Sequence, residues 1–265
     1  MSYILKTGND GKRRLDVVNY LYNQESSIFI KKANIDRSST ILDAGCGTGI
    51  MTIKLANLVK NGGRVIAIDQ SIEQIRIAKQ NIMKHGIKNV EFIVDDILNL
   101  KKYNLKLDVI YSRLILTHQK DPNLLLKTYT LSLKHSGIIL CEEPITSSSI
   151  YIPSSKAFDN HLDLYLKISR LNKLDFDLGN KLSTLFQNNN LSIVTQRRVQ
   201  NTFTNKKAKS IALLRTLECA DIYLQQNLIE EKSLESLIQE LKSISNSPMG
   251  AISGVEMVQV IGCKS

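Results

Sequence analysis

Ile41-Leu42-Asp43-Ala44-Gly45-Cys46-Gly47-Thr48-Gly49 reads as a buried strand running into a glycine turn. An acidic residue precedes the first glycine, and the three glycines alternate with other residues. Glycine lets a backbone turn sharply and approach a ligand closely. A second acidic residue, Asp69, ends the next apolar run, Val65-Ile66-Ala67-Ile68. A carboxylate about 20 residues beyond such a turn, at the tip of the second strand, can accept hydrogen bonds from ribose hydroxyls. Together these features point to a nucleotide-type cofactor.

The dinucleotide pattern G-x-G-x-x-G fails, because its third glycine would fall on Ile50; Gly49 gives G-x-G-x-G instead. A pyrophosphate at a helix N-terminus would be repelled by a carboxylate such as Asp43. A cofactor with positive charge and no phosphate suits Asp43 better. At these residues the chain resembles the class I S-adenosylmethionine (SAM)-dependent methyltransferases, whose first motif is commonly (D/E)-x-G-x-G-x-G. Asp43, Gly45, Gly47 and Gly49 match that motif. The competing readings are another Rossmann-like binder and a glycine turn with no ligand.

Outward from the turn, apolar runs suited to strands (40–45, 64–69, 90–95, 107–112 and 137–142) alternate with helical patterns (49–60, 71–85 and 121–134). Such alternation implies parallel pairing with right-handed crossovers. Ser71-Ile72-Glu73-Gln74 is a capping box in which Ser71 caps and Gln74 reaches back. Ile72, Ile75, Ala78 and Ile82 form the buried stripe of that helix, and Gly86 ends it. A further helix is expected over 12–34. After Pro144, a Ser/Thr-rich loop over 145–155 leads to helical patterns at 156–172, 179–189, 206–224 and 228–244. Strands are expected at 191–199 and 254–263.

This order implies an α/β, Rossmann-like, doubly wound fold with a seven-stranded, mostly parallel sheet. It has a helical N-terminal cap and a helical insertion before the last strand. One domain over 1–265 is expected: a cap (1–38), a SAM-binding core (39–145), substrate-shaping helices with the sixth strand (146–250) and a terminal strand (251–265). Outside 40–142 the chain looks most like small bacterial methyltransferases acting on small molecules. Tyr3-Ile4-Leu5 and Arg14-Leu15 echo their Tyr-x-Leu segment and Arg-Leu helix.

Net charge is +10, with 21 basic against 14 acidic residues over 1–150 and 14 against 11 over 151–265. Basic clusters stand at Lys12-Arg13-Arg14, Lys31-Lys32, Arg197-Arg198 and Lys206-Lys207-Lys209. A basic surface attracts nucleic acid or an anionic substrate. No cluster carries interleaved aromatics for base stacking, so a lysine-rich solvated surface is the preferred reading. No run is apolar enough to span a bilayer, and Met1 to Gly11 has no apolar core of signal-peptide type. Cys46, Cys141, Cys219 and Cys263 lie far apart. That spacing argues against a zinc site or disulfide framework and for a cytoplasmic setting, with no metal expected.

Ligands of open parallel sheets bind outside the carboxyl ends of the strands. This rule selects Asp43, Gly45, Cys46, Gly47 and Gly49, then Asp69 with Gln70 and Gln74, as cofactor-binding residues. The resemblance implies that Asp96 faces the adenine amino group with Ile97 beside it; the alternative for Asp95-Asp96 is a helix-capping pair. It also implies that Ser112 and Arg113 line the cofactor pocket and that His118 lies near the methyl-donor end of SAM. His118 is a candidate base or substrate hydrogen bond, against a packing role at a helix start. Glu142 and Glu143 are candidates to hold a substrate amine or hydroxyl or to take a proton, against a solvated strand end. Tyr20, Tyr22 and Tyr151 are candidates to cover the site.

The resemblance implies methyl transfer by in-line displacement, which relies on alignment and exclusion of water. The acceptor expected is a small molecule. The second reading is an RNA or protein methyltransferase using the basic surface. Against base methylation, Ser112-Arg113-Leu114 stands where a (D/N/S)-P-P-(Y/F/W) signature would fall, and a Pro-Cys nucleophile is absent. A non-catalytic SAM-binding protein ranks last. Acceptor, methylated atom and oligomeric state are not legible in the residues.

Overall fold

The computed structural model describes residues 4–264; Tyr3 of the Tyr-x-Leu segment lies outside them. In chain order the elements are α1 (Gly8–Lys32), β1 (Thr40–Ala44), α2 (Ile50–Leu58), β2 (Arg64–Asp69), α3 (Ile72–Lys84), β3 (Val90–Val94) and β4 (Leu107–Arg113). Next come α4 (Pro122–Ser132), β5 (Leu133–Ile145), β6 (Ile150–Ile152), α5 (Lys156–Leu171), α6 (Leu182–Asn188), β7 (Leu191–Val199) and β8 (Thr202–Phe203). The chain closes with α7 (Lys206–Gln225), α8 (Glu231–Asn246), β9 (Ala251–Ser253) and β10 (Glu256–Lys264).

Seven strands form one sheet in the order β3-β2-β1-β4-β5-β10-β7. All pair in parallel except β10, which runs antiparallel to both β5 and β7. Successive strand residues point to opposite faces, and both faces are covered. Ile41, Val65, Val109 and Leu140 pack with Phe29 of α1 and with Met51 and Leu55 of α2. Their neighbours Leu42, Ile66, Ile110 and Ile139 pack with Leu125, Leu126 and Tyr129 of α4 and with Leu182 and Phe186 of α6. Strands buried on both faces read as continuous apolar runs, which is how β1 and β2 appear in the sequence. The order reverses between β1 and β4, and the crevice outside their carboxyl ends is where this architecture binds ligands.

Helices close that crevice. Val17, Val18, Leu21 and Tyr22 of α1 pack with Phe158 of α5, with Ile211 and Ala212 of α7, and with Leu237 and Leu241 of α8. Thus α1 serves twice, lying on the sheet through Phe29 and joining the helical cover through its first half. Helices α7 and α8 are the insertion between the sixth and seventh strands of the large sheet. No helix among the described residues is long and apolar enough to cross a membrane.

Three features differ from expectation. A second sheet, β6-β9-β8, joins the Ser/Thr-rich segment to residues about a hundred positions away, through Ile150↔Ser253 and Thr202↔Ser253. Strands of two or three residues carry no periodicity to read. Ile72 is 64% exposed, so only Ile75, Ala78 and Ile82 form the buried stripe of α3. The capping box is half formed: Ser71 Oγ accepts the Gln74 N–H at 3.3 Å, but Glu73, not Gln74, turns back and accepts the Ser71 hydroxyl at 2.9 Å.

Candidate functional site

A cavity of about 190 Å³ opens at the carboxyl ends of β1, β2 and β4, beneath α1 and α7. Close-packed interiors hold few voids larger than one water, whose share of liquid volume is about 30 Å³; this space has room for a ligand and is not a packing fault.

One wall is the glycine turn. Gly45 sits at φ +67°, and a Cβ there would meet Ile115 Cδ1 at 2.1 Å. Gly49, at φ +78°, caps α2, and a Cβ would fall 2.9 Å from that of Ala78. Asp69 ties the turn to β2: its carboxylate accepts the Gly47 N–H at 2.9 Å and the Ser71 N–H at 2.9 Å. Each Asp69 oxygen accepts one of these bonds and has capacity for another, and the residue lines the cavity. Asp43 is buried and accepts the Thr52 hydroxyl at 2.6 Å; burial pushes its carboxyl up to about 6. Cys46 also lines this wall. Its N–H bonds Ile68 O at 3.0 Å.

Gln70 stands at the exposed rim, whereas Gln74 lines the cavity at 3% exposure. The Gln74 Oε1 is buried with no hydrogen-bond partner. Asp95, Asp96 and Ile97 line the neighbouring edge. Asp96 accepts the Leu98 N–H at 2.9 Å, and Asp95 accepts Asn99 and Tyr103 and pairs with Lys102. Those bonds, Asn99 first, hold the Asp95 carboxyl well below the usual range. Asp96 therefore caps, Asp95 is engaged by side chains, and both border the cavity.

The chain leaves β4 through Leu114, a leucine at φ +59°, in the left-handed region. This conformation costs about 1–3 kcal/mol for such a residue and persists only where surroundings enforce it. Glu143 does so. Its buried carboxyl group accepts the N–H groups of Ile115, Leu116 and Thr117 at 3.1, 2.9 and 3.1 Å, inside a nest of backbone donors. Burial pushes the Glu143 carboxyl up to about 8 against the pull of those donors.

Glu142 and Glu143 thus stand elsewhere than the sequence reading put them: neither is at the substrate mouth, and neither is solvated. Glu142 points into the sheet–α1 interface, where it accepts Tyr111 OH at 2.6 Å, Gln259 Nε2 at 2.6 Å and Ser26 Oγ at 3.0 Å. Ser112 also lies off the cavity, its hydroxyl 3.3 Å from Tyr129 OH in the core. Arg113 does line the cavity, held by Asn19, Asn23 and Ser26 of α1 at 2.8–3.0 Å. His118 lines it too, with Phe176 edge-on at 5.3 Å; burial, then the charges of Arg14 and Arg215, push its imidazole down to about 3. Of the three tyrosines only Tyr22 lines the cavity, its hydroxyl accepting the Val255 N–H at 3.2 Å. Tyr20 is exposed against Phe203, and Tyr151 packs at the small sheet.

The far half of the cavity is built by residues the sequence reading did not select. Arg14 of α1 pairs with Glu218 of α7 at 2.7 Å, both side chains 6% exposed. Tyr165 and Phe176 lie against each other, tilted by 38° with ring centroids 4.6 Å apart, and the Arg215 guanidinium lies 5.1 Å from the Tyr165 ring. The Arg-Leu pair at 14–15 was the one signal for this half; the rest sit in ordinary helical patterns. Among the described residues no group of three His, Cys, Asp or Glu could hold a metal ion.

Residues 35–209, more than half of the chain, match the family model of a methyltransferase domain. The chain belongs to that family. It is 31% identical over 128 residues to a demethylmenaquinone methyltransferase of Lactococcus lactis subsp. lactis, the match covering 48% of each chain. It is 36% identical over 83 residues to a "Probable ribosomal RNA small subunit methyltransferase A" of Methanosphaera stadtmanae, covering 31% of this chain and 30% of that one. Matches to the first curated relatives span about a third of their length, 32% in two cases. Coclaurine N-methyltransferase, solved with N-methylheliamine and S-adenosylhomocysteine (SAH), shares the fold. Its TM-score is 0.56 at 17% identity, over 89% of this chain and 71% of that one.

Proposed function

We propose that the protein transfers a methyl group from SAM to a small-molecule acceptor held beneath α1, α5 and α7. One observation carries this reading. A single cavity joins the glycine turn and Asp69 to an aromatic chamber roofed by those helices. Bound SAM supplies a methyl already activated by its sulfonium. The remaining lone pairs of Asp69 would receive ribose hydroxyls, with Gln74 beside them on the cavity wall. Asp96 and the Ile97 N–H would face the adenine, and Asp43 lends negative charge beneath the turn. His118 is neutral at physiological pH, so it can accept a hydrogen bond from the acceptor, while the same burial makes it a weak base. The helical cover excludes water and fixes the acceptor's approach. The family relation and the small-molecule names among the relatives support the reading.

The +10 charge motivates a macromolecular acceptor, but several residues of the basic clusters are engaged within the fold. Arg14 pairs with Glu218, Arg197 with Glu25 and Arg198 with Glu256. Lys209 is buried and bonds the carbonyls of Ser247 and Met249 at the end of α8. Lys31 and Lys32 lie in the last turn of α1, where cations offset the helix dipole. SAM labelled in its methyl group, incubated with metabolite extract, bulk RNA or protein, tests the assignment. Label is expected in the small-molecule fraction. Label in RNA or protein would reassign the acceptor, and binding without any transfer would point to a non-catalytic role.

A further inference from the structure

The cavity is electrically polarised. Its carboxylates, Asp43, Asp69, Asp95 and Asp96, all stand at the ends of β1 to β3. Its cations, Arg14, Arg113 and Arg215, come from α1, the end of β4 and α7. Two of these cations are compensated within the fold. Arg14 is paired with Glu218 at 2.7 Å. Arg113 reaches Glu142 through Ser26, which accepts from the guanidinium and donates to the carboxylate, each at 3.0 Å.

Arg215 is different. No carboxylate lies within ion-pair distance of it among the described residues. It rests on the Tyr165 ring and beside the Tyr22 hydroxyl, both cavity residues. His118, facing it, is neutral and offers no charge. A half-buried guanidinium without an anion leaves desolvation uncompensated, and its planar fork matches carboxylate and phosphate oxygens. Around it Tyr165, Phe176 and Leu114 line the cavity with aromatic and apolar side chains, a wall suited to an apolar, aromatic body.

We propose that the methyl acceptor is an aromatic or similarly flat small molecule bearing a carboxylate or phosphate, and that Arg215 receives this anionic group. The proposal rests on the methyl-transfer reading for what the acceptor is, and adds its charge and shape. It makes Arg215 a specificity-determining residue, with Tyr165 and Phe176 as the aromatic wall beside the acceptor's body.

The test titrates benzoate, phenyl phosphate, benzyl alcohol and benzylamine into the full-length protein, with and without SAH. Benzoate or phenyl phosphate is expected to bind, the stronger of the two identifying the group, while the alcohol and the amine do not. Arg215→Gln should weaken the preferred anion about tenfold, the usual scale of one charge-assisted interaction. Arg215→Glu should turn the preference to benzylamine. SAH binding by the Arg215→Gln protein serves as the check on its folding. Equal anion binding by the intact and Arg215→Gln proteins would overturn the proposal. So would alcohol binding as tight as the anions', or no anion binding at all. If Arg215→Gln weakens SAH as much as the anion, Arg215 serves the cofactor instead, and the proposal also fails. Failure of the intact protein to bind SAH would strike the methyl-transfer reading, while the anion preference is still read from the titration without SAH.

Discussion

The carboxylate of Asp69 holds the backbone N–H of Gly47 at 2.9 Å, so the residue that would receive the cofactor ribose also fixes the turn that would cradle it. Asp69→Ala removes both functions and leaves the Gly47 and Ser71 N–H groups without their acceptor. We expect SAH affinity to fall about 100-fold, equivalent to about 3 kcal/mol, from the loss of two or more hydrogen bonds to a charged group. Calorimetry checks it; an affinity within a few-fold of the intact protein would remove Asp69 from the site.

Glu143 is a positioning residue. It touches no cavity space, yet its three N–H donors hold the segment from Leu114 to His118 against the site. Glu143→Ala strands three buried donors and should cost about 3 kcal/mol or more, at 1–3 kcal/mol for each unsatisfied group. Urea unfolding followed by circular dichroism measures it. A variant as stable as the intact protein would show that the nest does not hold the turn.

Stability should peak near neutral pH, for reasons of opposite sign. His118 and His161 are buried and pushed from 6.5 down to about 3. Their stabilisation is present above pH 6.5 and is lost as pH falls toward 3, at about 1.4 kcal/mol per pH unit for each histidine. Asp43 and Glu143 are pushed up, to about 6 and about 8. The folded state therefore binds protons the unfolded chain has released, and stability falls as pH rises through these windows. Between pH 6.5 and 8 only Glu143 of these four groups contributes, so stability should decline there by about 2 kcal/mol at most. The expected curve has a maximum near pH 6.5 and a steep loss below about pH 4. Urea midpoints measured across this range check the curve; stability still rising from pH 6.5 to 8 would contradict the protonation assigned to Glu143.

Arg14 and Glu218 join α1 to α7 across the cavity roof. Removing either partner leaves a buried charge and should cost about 3–5 kcal/mol, while the double replacement should cost less than the sum. A double-mutant cycle of Arg14→Met and Glu218→Leu reads the difference. Strict additivity would mean that the pair does not act as a unit.

What the sequence revealed, and what it hid, follows the range of the interactions. β1, β2 and the glycine turn were legible because each rests on local requirements: continuous apolar runs for strands covered on both faces, and glycine where φ is +67° and +78°. The partners of Glu142 and Glu143 were not. Two adjacent acids at a strand end look solvated until Tyr111, Gln259, Ser26 and three backbone N–H groups are brought around them. The acceptor half was hidden for the same reason. Arg14 and Arg215 lie on helices about two hundred residues apart in the chain and meet only after α7 folds over α1. Ile72 was misplaced because, at 3.6 residues per turn, it lies about 85° off the direction shared by Ile75, Ala78 and Ile82.

The central claim is that the cavity at Gly45–Gly49 and Asp69 is a cofactor site of SAM type, and titration of SAH into the intact protein tests it most directly. The account predicts saturable binding at one site per chain, abolished or strongly weakened by Asp69→Ala. A folded, intact protein that gives no binding signal with either SAH or SAM would contradict it.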